Sequence, residues 1–142
     1  MDSIYKYITQ LANSQRRFID SLAVDKEYSG AQGKVIHYLF THKDSVVHQK
    51  DIEKDFGMRA PTATELLKTL MKKELIQKIP SKKDARLKEI ALTGHAEKYR
   101  EDIFRDIEML ESRLTENISR DELDIWIKVT HQMMENLSGD EK

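Results

Sequence analysis

The chain has 142 residues, with 24 Lys and Arg against 25 Asp and Glu, a formal net charge of -1 and 39% hydrophobic residues, which suits a single folded domain with one core. It contains no cysteine, which excludes disulfides, thiolate metal sites and thiol-based redox sensing. No apolar run approaches the roughly 18 residues that a membrane span needs, and the opening MDSIYKYITQ lacks the basic and apolar regions of a secretory signal, so a cytoplasmic protein is expected.

Only two prolines and five glycines punctuate the chain, so long helices with short connections are expected. Ile4, Ile8, Leu11, Gln15, Phe18 and Leu22 alternate at spacings of four and three. That predicts a first helix with a narrow apolar seam, interrupted once by Gln15 and suited to face another helix. A second helix follows, with Ser29 as N-cap and Val35, Ile36, Leu39 and Phe40 on its buried face. After the short extended SVV, the stretch HQKDIEKDFG predicts a compact third helix that turns Ile52 and Phe56 inward and ends at Gly57.

A fourth helix is predicted within RAPTATELLKTLMKKEL, with Pro61 in a first turn where its missing N–H costs nothing. On a 3.6-residue wheel, Ala63, Leu66, Leu67, Leu70 and Met71 form one arc. Thr62, Thr64, Glu65, Lys68, Thr69, Lys72 and Lys73 form the other. LIQKIP and LKEIALT read as two short strands joined by a basic hairpin. Tyr99, Ile103, Ile107, Leu110 and Leu114 mark a fifth helix. Ser119 and Glu122 stand at capping-box spacing before a sixth, which carries Leu123, Trp126, Ile127, Met134 and Leu137 on a broad apolar stripe.

The charge is unevenly spread. Lys68, Lys72, Lys73, Lys78, Lys82, Lys83, Arg86 and Lys88 face only Glu74 and Asp84 within residues 68–88, whereas acids outnumber bases from Glu97 onward. A basic middle on an acidic frame suggests a local polyanion site; a solvated charged surface is the plainer alternative. A helix with a face of threonines and lysines suits the major groove, where hydroxyls reach base edges and lysines pair with phosphate. Arg59, Thr62, Thr64, Glu65, Lys68 and Thr69 are the candidates there. Glu65 can accept from cytosine N4, or can act structurally by favouring the helix N-terminus and pairing with Lys68. At the hairpin tip, Lys82 and Lys83 would neutralise phosphates while Arg86 enters a narrow minor groove. The five histidines form no metal-binding spacing, and no nucleophile elbow or phosphate loop is present, so neither a metal or other cofactor nor an enzymatic activity is expected.

Helix, short helix, helix and basic hairpin is the order of a winged helix-turn-helix. The residues resemble the MarR-type transcriptional regulators in Gln49, Lys50 and Ile52, in the run from Thr64 to Ile76, in Asp84 and Arg86, and in Leu92 with Thr93. Two glycines of the pattern are replaced, by Glu74 after the fourth helix and by Ala96 after the Leu-Thr pair, which bears on how those helices exit. The resemblance implies a mainly α fold: a winged helix-turn-helix DNA-binding domain over residues 29–93, with residues 1–28 and 94–142 forming a dimerisation domain. It implies dimer contacts through Ile4, Ile8, Leu11, Leu123, Trp126, Ile127, Met134 and Leu137. It also implies that Asp84 pairs with Arg86 or a neighbouring base and fixes the shape of the wing. A homodimeric repressor on double-stranded DNA is the function it implies, relieved by a small aromatic or phenolic effector for which Tyr7, Phe18, His37, Tyr38 and Met71 are candidate lining residues. The alternative is an adaptor that uses the same fold to bind a protein instead of DNA.

Overall fold

Caps set the helix boundaries. Ser29 Oγ accepts from the Gln32 N–H at 3.2 Å while Gln32 Oε1 accepts from the Ser29 N–H at 3.0 Å, a reciprocal box that satisfies two otherwise orphaned donors. Ser119 and Glu122 form the same box at 3.1 and 3.0 Å. Gly57 ends the third helix at φ +63°, a left-handed conformation that glycine adopts without a Cβ penalty.

The computed structural model describes residues 3–139. In chain order these form α1 (Ile4–Leu22), α2 (Gly30–Thr41), α3 (Gln49–Phe56), α4 (Ala60–Lys72), β1 (Ile76–Pro80), β2 (Lys88–Leu92), a 3-10 segment (Gly94–Tyr99), α5 (Arg100–Thr115) and α6 (Arg120–Ser138). None of these helices is long and apolar enough to cross a membrane. The sequence places α5 from Tyr99, whereas the structure first makes a 3-10 turn and begins the α-helix at Arg100. Two compact units divide between Leu110 and Glu111.

The first unit holds the core. Val35, Ile36, Leu39 and Phe40 from α2 meet Ile52 of α3, Leu67 and Leu70 of α4, Leu75, Ile76, Ile90, Ala96 and Ile103. Val35, Ile36, Ile52, Leu67, Leu70, Leu75 and Ile103 are the largest fully buried side chains, each stabilising the fold by about 1.5–3 kcal/mol relative to exposure. Neither position 28/29 nor 93/94 is a break in packing. The helix α1 lies on α2, and Ala96 and Ile103 join the same core as α2.

Local chemistry fixes the α1–α2 contact. Asp20 Oδ1 accepts from the Gly30 N–H at 3.0 Å, and a Cβ at Gly30 would sit 2.5 Å from that same oxygen. Only glycine admits this approach. Gln15, the polar interruption in the seam, accepts from Lys34 Nζ.

The strands β1 and β2 pair antiparallel, Ile76 with Leu92 through Pro80 with Lys88. On the other side of β2, the Ile90 N–H donates to Val47 O at 2.7 Å, so the extended SVV stretch serves as a third edge. The helix α4 leaves through Glu74 at φ +60°. That is the left-handed turn for which the family pattern keeps a glycine. Here the turn survives the substitution, held by Thr93, whose hydroxyl donates to Glu74 O at 2.5 Å and whose N–H donates to Leu75 O at 3.1 Å.

In the second unit, α6 buries no residue. Ile125, Trp126, Ile127, Met134 and Leu137 are all exposed, Leu137 by 72%.

Candidate nucleic-acid interface

The fourth helix separates its arcs as the wheel requires. Ala63, Leu67 and Leu70 are buried, Leu66 and Met71 are half-buried, and Thr62, Thr64, Glu65, Lys68 and Lys72 are exposed. Arg59 is its exposed N-cap residue. Two members of the polar arc depart from free exposure. Thr69 is half-buried and its hydroxyl donates to Glu65 O at 3.0 Å, the usual return bond of a helical threonine. Lys73 is half-buried and donates to Gln32 Oε1 at 2.8 Å, binding the end of α4 to the start of α2.

Two side chains of the α3 start, which the sequence left without a role in the site, turn out to organise it. Gln49 Nε2 donates to Thr64 Oγ1 at 2.9 Å and to Glu53 Oε2 at 3.1 Å. His48 Nδ1 lies 3.0 Å from Lys88 O; a carbonyl only accepts, so Nδ1 carries the proton. The start of α3 is thereby joined to α4 on one side and to the wing on the other. Glu53, four residues from Gln49, is legible as a helical pair; the partners at Thr64 and Lys88 carry no local signal.

The wing tip closes on itself. The Ser81 N–H donates to Leu87 O at 2.8 Å and the Leu87 N–H to Asp84 O at 3.0 Å. Lys82 and Lys83 are exposed. Asp84 Oδ1 accepts from the Arg86 N–H at 3.0 Å and from Arg86 Nε at 3.1 Å, and Oδ2 accepts from Nη2 at 3.1 Å. The pairing holds the Asp84 carboxyl below its ordinary value, while the Arg86 side chain remains 91% exposed.

Of the five residues expected to line an effector pocket, Tyr7 and Phe18 lie on α1, His37 and Tyr38 on α2 and Met71 on α4. Tyr7 is exposed on α1, and Phe18 is half-buried. His37 packs its ring 4.8 Å from that of Phe104, and Tyr38 lies between His42 at 4.0 Å and Phe56 at 5.8 Å. Met71 and Tyr38 pack on the rim of the core. One small cavity, about 10 Å³, is lined by Ile19, Tyr28, Gly33, Ile103 and Asp106 among others. A second, about 250 Å³, lies along His42, Ser45, Val46 and β2. Neither is lined by any of the five. Among the described residues, no three of His, Cys, Asp and Glu group as a metal site.

A polar cluster fixes the turn between α1 and α2. Glu27 accepts from His95 Nε2 at 2.8 Å and from the Tyr99 hydroxyl at 2.5 Å. The Tyr99 bond, the larger influence, holds Glu27 below its ordinary value, and Tyr99 is itself pushed up to about 12. Lys26 pairs with Asp102 at 2.6 Å nearby. Sequence reading placed Tyr99 on the seam of the fifth helix and attached no role to the others.

Residues 31–88 match the model of the MarR family, which covers α2 through the start of β2. No curated protein matches the chain. Among solved structures, the transcription regulator MarR from Oenococcus oeni PSU-1 aligns with a TM-score of 0.86 at 28% identity, over 94% of this chain and 99% of that one. MepR of S. aureus, solved as a DNA complex, aligns with a TM-score of 0.85 at 23% identity over 95% and 96%. A putative MarR family transcriptional regulator from Listeria monocytogenes, also complexed with DNA, shares the fold at a TM-score of 0.82 and 17% identity over 99% and 92%.

Proposed function

We propose that the chain, whose residues 31–88 match the MarR family model, is a MarR-family protein and a sequence-specific DNA-binding transcription regulator. Its working form is a homodimer that represses from a pseudo-palindromic operator. The observation that carries the reading is the wing: Arg86 is held by its own neighbour at three points and still offers its guanidinium almost wholly to solvent. A protein-binding adaptor has no use for that arrangement next to an exposed Thr/Lys helix face. The DNA complexes of relatives with this fold support the same partner.

In this reading residues 29–93 bind DNA. Arg59, Thr62, Thr64, Glu65, Lys68 and Thr69 lie at the major groove, and Lys82, Lys83 and Arg86 lie on backbone and minor groove, with Asp84 orienting the arginine. Residues 1–28 and 94–142 dimerise. The exposed Ile4, Ile8 and Leu11 of α1, and Trp126, Ile127, Met134 and Leu137 of α6, are large apolar side chains of the kind that subunit contacts cover. Leu123, half-buried on α6, belongs to the same contact. Two-fold symmetry then calls for half-sites spaced by about 10 bp or a multiple of it. A small aromatic or phenolic effector reached by Tyr7, Phe18, His37, Tyr38 and Met71 would relieve repression, acting only through its different affinities for the DNA-bound and released forms.

The test is selection from random duplex DNA combined with sedimentation. The expected result is a dimer that enriches a pseudo-palindrome, with Leu123→Asp plus Ile127→Asp weakening dimer and DNA binding together. A monomer that binds the palindrome with full affinity would overturn the dimer. Wild-type protein that enriches no duplex would overturn the regulator and favour the adaptor.

A further inference from the structure

Gln49 and Thr64 are fifteen residues apart in sequence and meet where α3 faces α4. The chemistry of their neighbours fixes which end of the amide points where. Gln49 Nε2 lies 3.1 Å from Glu53 Oε2 and 3.5 Å from Ala60 O. A carboxylate and a carbonyl only accept, so the amide nitrogen, and not its oxygen, must face this cluster. The bond at 2.9 Å to Thr64 Oγ1 is therefore donated by Gln49 and accepted by the hydroxyl.

A hydroxyl has one proton and two lone pairs. With a lone pair engaged by Gln49, and no second partner for Thr64 Oγ1 among the described residues, the Thr64 proton is available to solvent from an exposed position on α4. Thr69 makes the contrast. Its proton is spent on Glu65 O, so that hydroxyl offers only lone pairs. Two threonines on one helix arc thus differ in hydrogen-bonding character, Thr64 offering a proton and one lone pair and Thr69 lone pairs alone, and a glutamine on the neighbouring helix engages the first.

We propose that Gln49 is a positioning residue that sets Thr64 as a hydrogen-bond donor to a base edge in the major groove. The inference rests on the DNA-binding reading. Guanine, adenine and thymine each present a major-groove acceptor, whereas cytosine presents only its N4 donor. Cytosine is accordingly the base disfavoured on the strand that Thr64 faces, since it can meet only the remaining lone pair and leaves the proton without a partner. Without Gln49, the Thr64 hydroxyl falls back on its own i−4 carbonyl as Thr69 does, turns its lone pairs outward, and the rejection of cytosine is lost.

Binding-site selection with wild type, Thr64→Val, Thr64→Ser, Gln49→Leu and Gln49→Glu tests this. Thr64→Val defines the position, as the one in each half-site where rejection of cytosine disappears; Thr64→Ser should keep it. Gln49→Leu should relax the same position in the same direction and lower affinity for the wild-type site roughly 2- to 10-fold per half-site. Gln49→Leu with Thr64→Val should lose no more than Thr64→Val alone. The salt dependence of binding should not move, since no charge changes. Gln49→Glu, whose carboxylate accepts the Thr64 proton, should favour the bases with a major-groove amino donor, cytosine and adenine, and it carries the test if the leucine variant folds poorly. A wild-type motif from both Gln49 variants would overturn the proposal, as would a change at a position other than that of Thr64→Val or additive losses in the double variant. If wild type itself enriches no duplex, the regulator reading fails and this inference with it, and that outcome is visible before any variant is made.

Discussion

Asp84 grips the backbone N–H, Nε and Nη2 of Arg86 with its two carboxylate oxygens, and the arginine side chain is nonetheless 91% exposed. The pair is too wet to contribute much to folding, as exposed ion pairs generally are. In the proposed DNA contact it would remove side-chain freedom that Arg86 otherwise loses on binding, and ordering a long side chain costs about 0.5–1.5 kcal/mol.

Arg86→Ala is accordingly expected to cost about 1–3 kcal/mol per half-site and to flatten preference for A·T pairs at the flanks of the operator. Arg86→Lys should rescue only partly, because a strongly hydrated ammonium loses more in a narrow groove than a guanidinium does. Asp84→Asn should weaken binding less than either. The Asp84 carboxyl, followed by NMR, should titrate at higher pH in Arg86→Ala than in wild type, while thermal midpoints stay within a few degrees. Operator titration at fixed salt decides the matter: unchanged affinity in Arg86→Ala would remove the wing from the interface.

Glu74 occupies a left-handed turn at φ +60°, which costs a side-chain-bearing residue roughly 1–2 kcal/mol. Glycine avoids that strain but loses more chain entropy, about 0.5–1 kcal/mol. Glu74→Gly should therefore raise stability to urea by about 0.5 kcal/mol, taking the difference of these two costs. Thr93→Val, which deletes the hydroxyl that anchors Glu74 O, should lower it by about 1 kcal/mol. A glycine variant that is less stable than wild type would show that the turn is not strained.

Tyr28 and Tyr99 are both pushed up to about 12, Tyr28 chiefly by burial and Tyr99 chiefly by donating to Glu27. A phenol whose folded value exceeds its unfolded value of 10 contributes its stabilisation in full below that unfolded value. It loses the contribution as pH rises through the folded one. The protein should therefore lose stability between about pH 10 and 12. Ring resonances of Tyr28 and Tyr99 should both titrate late. In Glu27→Ala that of Tyr99 should return toward the ordinary range while that of Tyr28 does not. A late Tyr99 in Glu27→Ala would contradict the assignment.

What the sequence made legible was local. Ser29, Gly57 and Ser119 announce helix ends through bonds spanning a few residues, and the α4 arcs follow from a rotation of 100° per residue. The Asp84–Arg86 pair stands two residues apart. What stayed hidden joins distant segments: His48 with Lys88, forty apart, and Glu27 with Tyr99, seventy-two apart. Glutamine, histidine and glutamate in those places read as ordinary surface polarity, because nothing in their own neighbourhood names a partner. Glu74 shows the converse. Its identity departs from the family pattern, yet its backbone keeps the turn, since Thr93 rather than the residue type supplies the restraint.

The closed wing tip bears on how such a protein can change. Residues 81–87 hang from the sheet by their own two backbone bonds, and among them none is buried. In α4, by contrast, candidate reading positions alternate with Ala63, Leu67 and Leu70, which belong to the interior. Substitutions in the tip are thus nearly free of folding consequence, while those in α4 are constrained by the residue next door. On the proposed function, new operator preferences would be more accessible to mutation through the tip than through the helix, and related chains with a common core are expected to diverge there first.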